Sequence, residues 1–260
     1  MEKEFSCQRL DGKEIRGRIY IPDGRKRRYP TVIFCHGFGS NFRQLSDHGA
    51  GLAESGIVCV LFDFYGGGPE SASGGSMKEM SVKTERDELF SVMERVKKFS
   101  FVDTKRLFLM GESQGGFVAA YAAMDREREI AGLILWYPAF QIPEVVAEFC
   151  RDGIPDEYEV MGHQISSVYA IDAMPLNPYE RMAHFKKPVL MIHGDCDGIV
   201  PFTYSERAVK TFPNARLEPI CGSDHGFNGP DSIRARELSR DFVFSVGRKR
   251  SVFSFFINFR

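Results

Sequence analysis

The stretch RLFLMGESQGGFVAA, Arg106–Ala120, decides the fold. Its first half is a short apolar run of the kind that fills a buried strand. Its second half is a small-residue run suited to a helix that packs closely on a sheet. Between them stands G-E-S-Q-G, with Ser113 at its centre. A G-x-S-x-G alone is a common surface turn. Placed directly after a strand and directly before a helix, it describes a sharp strand–turn–helix bend that lifts one hydroxyl above the end of a sheet. Gly111 and Gly115 remove side chains that would clash in such a bend, and Gly116 lets the helix pack closely. Ser113 is therefore the candidate nucleophile, with the Gln114 backbone N–H just behind it.

The rest of the chain repeats the strand–helix alternation. EFSCQRL and EIRGRIYI predict an opening antiparallel hairpin turning at Asp11-Gly12. PTVIFCHG, IVCVLFDF, RLFLMG, GLILWYP, PVLMIHG and LEPIC predict further strands. Helices are predicted over 41–56, 79–99, 114–124, 204–211 and 232–246. YGGGPESASGGS, 65–76, is a loop by its glycines and serines. Strands separated by helices give right-handed crossovers, hence an α/β fold with a mostly parallel central sheet and helices on both faces. Residues 139–185 interrupt the rhythm with prolines, aromatics and helical pieces but no strand of the sheet. They are expected to form an inserted lid within a single domain, 1–260.

A chain of 260 residues, 43% hydrophobic and 27% charged, suits a soluble globular protein with a large core. The formal net charge of -1 offers no case for nucleic acid or for an anionic membrane. The charged N-terminus MEKEFSCQRLDGKEIRG lacks the apolar core of a signal peptide, and no run is long enough to span a bilayer. A cytoplasmic protein without stable membrane insertion is expected. The six cysteines are scattered, without a C-x-x-C pair, and are expected to be reduced. No metal-ligand cluster, phosphate loop or dinucleotide fingerprint is present, so no cofactor and no metal is expected.

A serine hydroxyl needs a base, and in this layout an acid and then a histidine follow the nucleophile along the chain. His225, in CGSDHGF after the last predicted strand, is the candidate base. His36 and His193 precede glycines at strand ends and suit loop-shaping roles. Asp195, Asp197 and Asp224 are all candidates for the acid, and each could instead close a turn.

Four motifs together resemble the α/β-hydrolase superfamily: HGFG at 36–39, GESQGG at 111–116, HGDCDGIVP at 193–201 and DHGF at 224–227. Within it the chain resembles the bacterial cinnamoyl or feruloyl esterases, over Lys13–Val246. The resemblance implies an α/β-hydrolase fold and a serine carboxylesterase acting on small esters, of hydroxycinnamoyl type. It implies Asp197 as the acid, because the family pattern H-G-x-x-D-x-x-V-P falls there. It implies an oxyanion hole built from the Phe38 and Gln114 backbone N–H groups. It also implies that the lid holds an aromatic acyl group, through Phe140, Tyr158, Tyr169 and Tyr179, with Tyr169 or Asp172 hydrogen-bonding a phenolic hydroxyl. Ordinary lid packing is the competing reading for each of these side chains.

Two features depart from the family. Glu112 stands where a histidine often precedes the nucleophile. The ending GRKRSVFSFFINFR, 247–260, is atypical; it suits a frayed or partner-binding tail, and weak membrane or subunit contact, as in a homodimer, is the alternative. Two other functions stay open. A serine aminopeptidase or acyl-peptidase would need an anchor such as Glu148, Glu157 or Arg151. A catalytically silent ligand-binding scaffold would need an inert Ser113.

Overall fold

The computed structural model describes residues 1–24 and 27–246. The expectation for the tail 247–260 lies outside the described residues. The chain opens with β1 (Glu2–Gln8) and β2 (Glu14–Tyr20), an antiparallel pair. Its turn carries Gly12 at φ +83, the left-handed region that glycine enters without strain. Then follow β3 (Tyr29–Cys35), α1 (Ser46–Glu54), β4 (Val58–Phe62), α2 (Val82–Val96), β5 (Val102–Glu112), α3 (Ser113–Asp125) and β6 (Gly132–Trp136). The segment 139–185 holds α4 (Ile142–Phe149), a hairpin of β7 (Glu157–Val160) and β8 (His163–Ser166), α5 (Ser167–Ala173) and α6 (Pro178–Met182). The chain ends through β9 (Val189–Gly194), α7 (Thr203–Thr211), β10 (Ala215–Ile220) and α8 (Gly229–Ser245).

Eight strands form one sheet in the order β1-β2-β4-β3-β5-β6-β9-β10. From β4 to β10 every neighbour is parallel; β1 and β2 add an antiparallel edge. The hairpin β7–β8 pairs only with itself, so the sheet passes directly from β6 to β9. The chain goes from β3 outward to β4, then returns to place β5 on the other side of β3. The strand order therefore reverses at β3, and the crevice beyond its carboxyl end is where such sheets bind ligands. HGFG leaves β3 at that point, and Ser113 leaves β5 beside it.

Burial on both faces explains why the strands look uniformly apolar in the sequence. Ile33, Val60, Leu109 and Leu135 pack toward the face that carries α2, α3 and the lid. Phe34, Leu61, Met110 and Trp136 pack toward α1 and α8. Two of the differences from the expectation have a clear physical reason. β5 starts at Val102, not Arg106, because polar residues 103–106 continue as strand past a register shift opposite Tyr29–Thr31. The predicted helix over 41–56 divides into a 3-10 turn, Phe42–Leu45, and α1. Asn41 caps the turn through the Arg43 N–H, and the buried Asp63 accepts the Phe42 N–H, which tightens this entry. Among the described residues no helix is long and apolar enough to cross a membrane.

Candidate active site

The bend at Ser113 is enforced from both sides. Ser113 sits at φ +50, a left-handed conformation that a non-glycine residue holds only when its surroundings over-determine it. A Cβ on Gly115 would meet the Cys35 and His36 carbonyls, and one on Gly111 would meet the Gly115 carbonyl. Only glycine lets β3, β5 and α3 approach this closely.

Three loops bring three side chains into line. His225 Nε2 lies 3.1 Å from Ser113 Oγ, and His225 Nδ1 lies 2.7 Å from Asp197 Oδ2. Asp197 Oδ1 accepts the Ile199 and Val200 N–H groups at 2.9 and 2.8 Å. Its side chain is fully buried, and that of His225 is 15% exposed toward the cleft. The other two acid candidates brace loops instead. Asp195 accepts the Gly222 N–H, and Asp224 accepts the N–H groups of Gly198 and His225.

His193 is a second histidine on Asp197 that the sequence reading assigned only to loop shape. Its Nε2 faces both Asp197 Oδ2 at 3.1 Å and the Val200 carbonyl at 3.0 Å. Both can only accept, so Nε2 carries the hydrogen, and Nδ1 takes the Ser205 hydroxyl at 2.7 Å. Burial pushes its imidazole below the usual histidine range, which keeps it a neutral donor. His36 shapes its loop: Nε2 accepts the Phe64 N–H and Nδ1 faces the Gly37 carbonyl.

Phe38 and Gln114 border the cleft beside Ser113, and neither backbone N–H has a protein acceptor among the described residues. The side chain of Gln114 is pinned from both ends. It donates to Glu85 at 2.9 Å and accepts the Tyr169 hydroxyl at 2.7 Å. Burial pushes the Glu85 carboxyl well up.

Ser113 opens on a cavity of about 300 Å³, walled by Phe38, Ile142, Val146, Phe149, Tyr158 and Tyr169 among others. The lid thus supplies most of the wall. Tyr158 and Tyr169 border the cavity, whereas Phe140 and Tyr179 are buried in the core between α3, α4 and α6. Asp172 departs from the expectation. It lies off the cavity wall, where its carboxylate accepts the Ser81 hydroxyl at 2.6 Å and faces Lys83. The physical reason is the start of α2: Ser81 caps that helix, and Asp172 ties α5 to the cap. The peptidase anchors also fall elsewhere. Glu148 pairs with Arg151 on the surface, and Glu157 pairs with Lys78. Glu159, not singled out in the sequence, borders the cavity. A wider hollow of about 700 Å³ between Tyr20 and Glu54 contains no part of this machinery.

With this geometry in view, residues 27–169 match the Hydrolase_4 family, described as serine aminopeptidase, S33. The chain belongs to this family. It is 30% identical over 241 residues to an uncharacterised protein of Mycobacterium tuberculosis, covering 91% of this chain and 76% of that one. Dipeptidyl-peptidase 5 of Porphyromonas gingivalis is 22% identical over 228 residues, which span 84% of this chain and 33% of that protein. Among solved structures, Est1E from Butyrivibrio proteoclasticus with bound ferulic acid superposes with a TM-score of 0.86 at 25% identity, covering 94% of this chain and all of that one. The protein is an α/β-hydrolase of the esterase or peptidase-like kind, and its fold resembles that of the cinnamoyl esterases.

Proposed function

We propose that the protein is a serine carboxylesterase that cleaves small esters of hydroxycinnamoyl type through an acyl-enzyme. The observation that carries this reading is the hydrogen-bonded series Ser113–His225–Asp197 at the mouth of an apolar cavity. The likeness to Est1E supports the acyl group, since that structure holds ferulic acid.

The chemistry follows from the hydrogen-bond directions. Asp197 accepts from Nδ1, so the neutral His225 presents a lone pair at Nε2 to the Ser113 hydroxyl. As Ser113 Oγ bonds to the ester carbonyl carbon, its proton passes to His225 Nε2, and Asp197 stabilises the imidazolium. The carbonyl oxygen gains negative charge and meets the Phe38 and Gln114 N–H groups. These donors are held by the backbone before reaction, and losing one such donor costs about 2.7–4 kcal/mol of transition-state stabilisation. The imidazolium then protonates the leaving alcohol. Water enters, gives its proton to His225, and releases the acid from Ser113. The lid excludes bulk water from the acyl side and offers Tyr158, Phe149 and Val146 to a planar acyl group.

Hydrolysis of methyl ferulate, methyl p-coumarate, p-nitrophenyl butyrate and an aminoacyl p-nitroanilide tests this reading. The hydroxycinnamates should lead in kcat/KM. A second reading, an aminopeptidase, draws on the family description and on the Glu159 carboxylate at the cavity wall, which could take a substrate ammonium. Faster cleavage of the anilide would favour it over the esterase.

A further inference from the structure

One half-buried carboxyl next to the nucleophile takes no part in the chemistry above. Glu112 immediately precedes Ser113. Its Oε2 accepts the Tyr137 hydroxyl at 2.7 Å, and its Oε1 faces the Gly37 N–H at 3.4 Å. Tyr137 follows β6 at φ +34, an unfavourable conformation for an aromatic residue. Its ring stands edge-on to the His225 imidazole, with centroids 4.7 Å apart, and to Phe227 at 4.8 Å. Glu112, on the nucleophile bend, therefore touches the loop that presents the Phe38 N–H and the Tyr137 loop after β6, and Tyr137 in turn packs on the His225 loop.

Counting hydrogens gives the protonation state. The Tyr137 hydroxyl donates its proton to Glu112 Oε2. The Gly37 N–H points to the other Glu112 oxygen. A carboxylate satisfies both donors; a carboxylic acid would set its own proton against one of them. Burial raises the Glu112 carboxyl above the usual carboxylate range, and the Tyr137, Gly37 and His225 contacts that favour its charge offset only part of that rise.

We propose that Glu112 is a positioning residue for the ester hydrolysis. Through Tyr137 it holds the His225 imidazole in line with Ser113, and through Gly37 it holds the loop that offers the Phe38 N–H. Its negative charge also favours the imidazolium that forms as Ser113 attacks. This rests on the esterase reading above. The groups that face His225 are Asp197 at Nδ1, Ser113 at Nε2, and Tyr137 with Glu112 behind it on the ring face. Asp224 accepts the His225 backbone N–H, and neutral His193 shares the Asp197 oxygen. Of these anions, only Glu112 changes in a Glu112→Gln variant. Removing it destabilises the imidazolium that forms as Ser113 attacks. The acid limb of the rate profile then moves to lower pH.

The test is kcat, KM and the pH profile of p-nitrophenyl acetate hydrolysis by wild type, Glu112→Gln, Tyr137→Phe, the double variant and Ser113→Ala, with thermal melts on each. Glu112→Gln should lose about 10- to 100-fold in kcat, the scale of a hydrogen bond to a charged group, with KM changing less than about threefold. Its acid limb should move to lower pH. Tyr137→Phe should also lose kcat, and the double variant should be no slower than the slower single, because both act through one contact. A wild-type kcat and acid limb in Glu112→Gln, beside an inactive Ser113→Ala, would overturn the proposal and leave the esterase reading standing. So would losses that add in the double variant. An active Ser113→Ala would overturn both.

Discussion

Replacing Asp197 by asparagine keeps the shape of the site and changes one thing, which group offers hydrogens to His225. Asp197 receives four N–H groups, two on each oxygen. Ile199 and Val200 donate from the backbone and cannot turn away, so the asparagine carbonyl must take the Oδ1 position. The amide NH₂ then occupies the Oδ2 position, facing His225 Nδ1 and the Nε2–H of His193. His193 still has the Val200 carbonyl for its hydrogen. His225 has no other acceptor at Nδ1, so it must move its hydrogen to Nε2. There it points at Ser113 Oγ, and the lone pair that should take the serine proton is gone. Presenting the wrong tautomer in an otherwise intact triad costs about four orders of magnitude in kcat, or about 5 kcal/mol. Steady-state hydrolysis of p-nitrophenyl butyrate measures it, with a melting curve as the control for folding. A variant that keeps more than about a tenth of wild-type kcat would refute the tautomer argument. Asp195→Asn and Asp224→Asn, which alter only loop braces, should stay within about tenfold of wild type.

Three other outcomes follow from the same geometry. Gln114→Ala keeps the backbone N–H at the cleft but leaves Glu85 and the Tyr169 hydroxyl without partners. At roughly 1–3 kcal/mol for each orphaned group, Tm should fall by about 5–15 °C, and a fall under about 2 °C would contradict the buried network. Gly115→Ala drives a methyl group into two backbone carbonyls that cannot move independently, so far-UV circular dichroism of the soluble fraction should show little folded protein; a wild-type melt would refute the close approach of α3 to β3. Val146→Trp fills the lid side of the cavity. It should raise KM for methyl ferulate by about tenfold or more while p-nitrophenyl acetate stays within about threefold, and equal effects on both would mean that the acyl group lies elsewhere.

The nucleophile bend was legible because local constraint writes itself locally. Gly111, Gly115 and Gly116 are required by contacts between adjoining elements, and the strand before Ser113 is apolar over Leu107–Gly111 because both of its faces are covered there. The order of the strands was not legible beyond the general rule for parallel crossovers, since the reversal at β3 depends on which long-range pairs form. The start of β5 was hidden by polar residues 103–106, which lie where the strand leaves the core. Asp197, His225, Phe38, Gln114 and Tyr169 come together from segments up to 187 residues apart in number, 38 to 225; motif order pointed to His225, and the family resemblance to Asp197, Phe38 and Tyr169. No sequence pattern announced the place of Asp172, because the Ser81 hydroxyl that holds its carboxylate lies 91 residues away in the chain. His193 and Glu112 carried a sequence signal, a histidine at a strand end and an unusual neighbour of the nucleophile. What each touches, Asp197 in one case and Tyr137 in the other, is a property of the folded chain.

The central claim is that Ser113 becomes acylated. Mixing the enzyme with p-nitrophenyl acetate at low pH, quenching within the first turnover and measuring the intact mass tests it directly, with peptide mapping to locate the adduct. The account predicts one acetyl group per chain on the peptide that contains Ser113, absent from Ser113→Ala. An adduct on another residue, or hydrolysis that persists in Ser113→Ala at the wild-type rate, would contradict it.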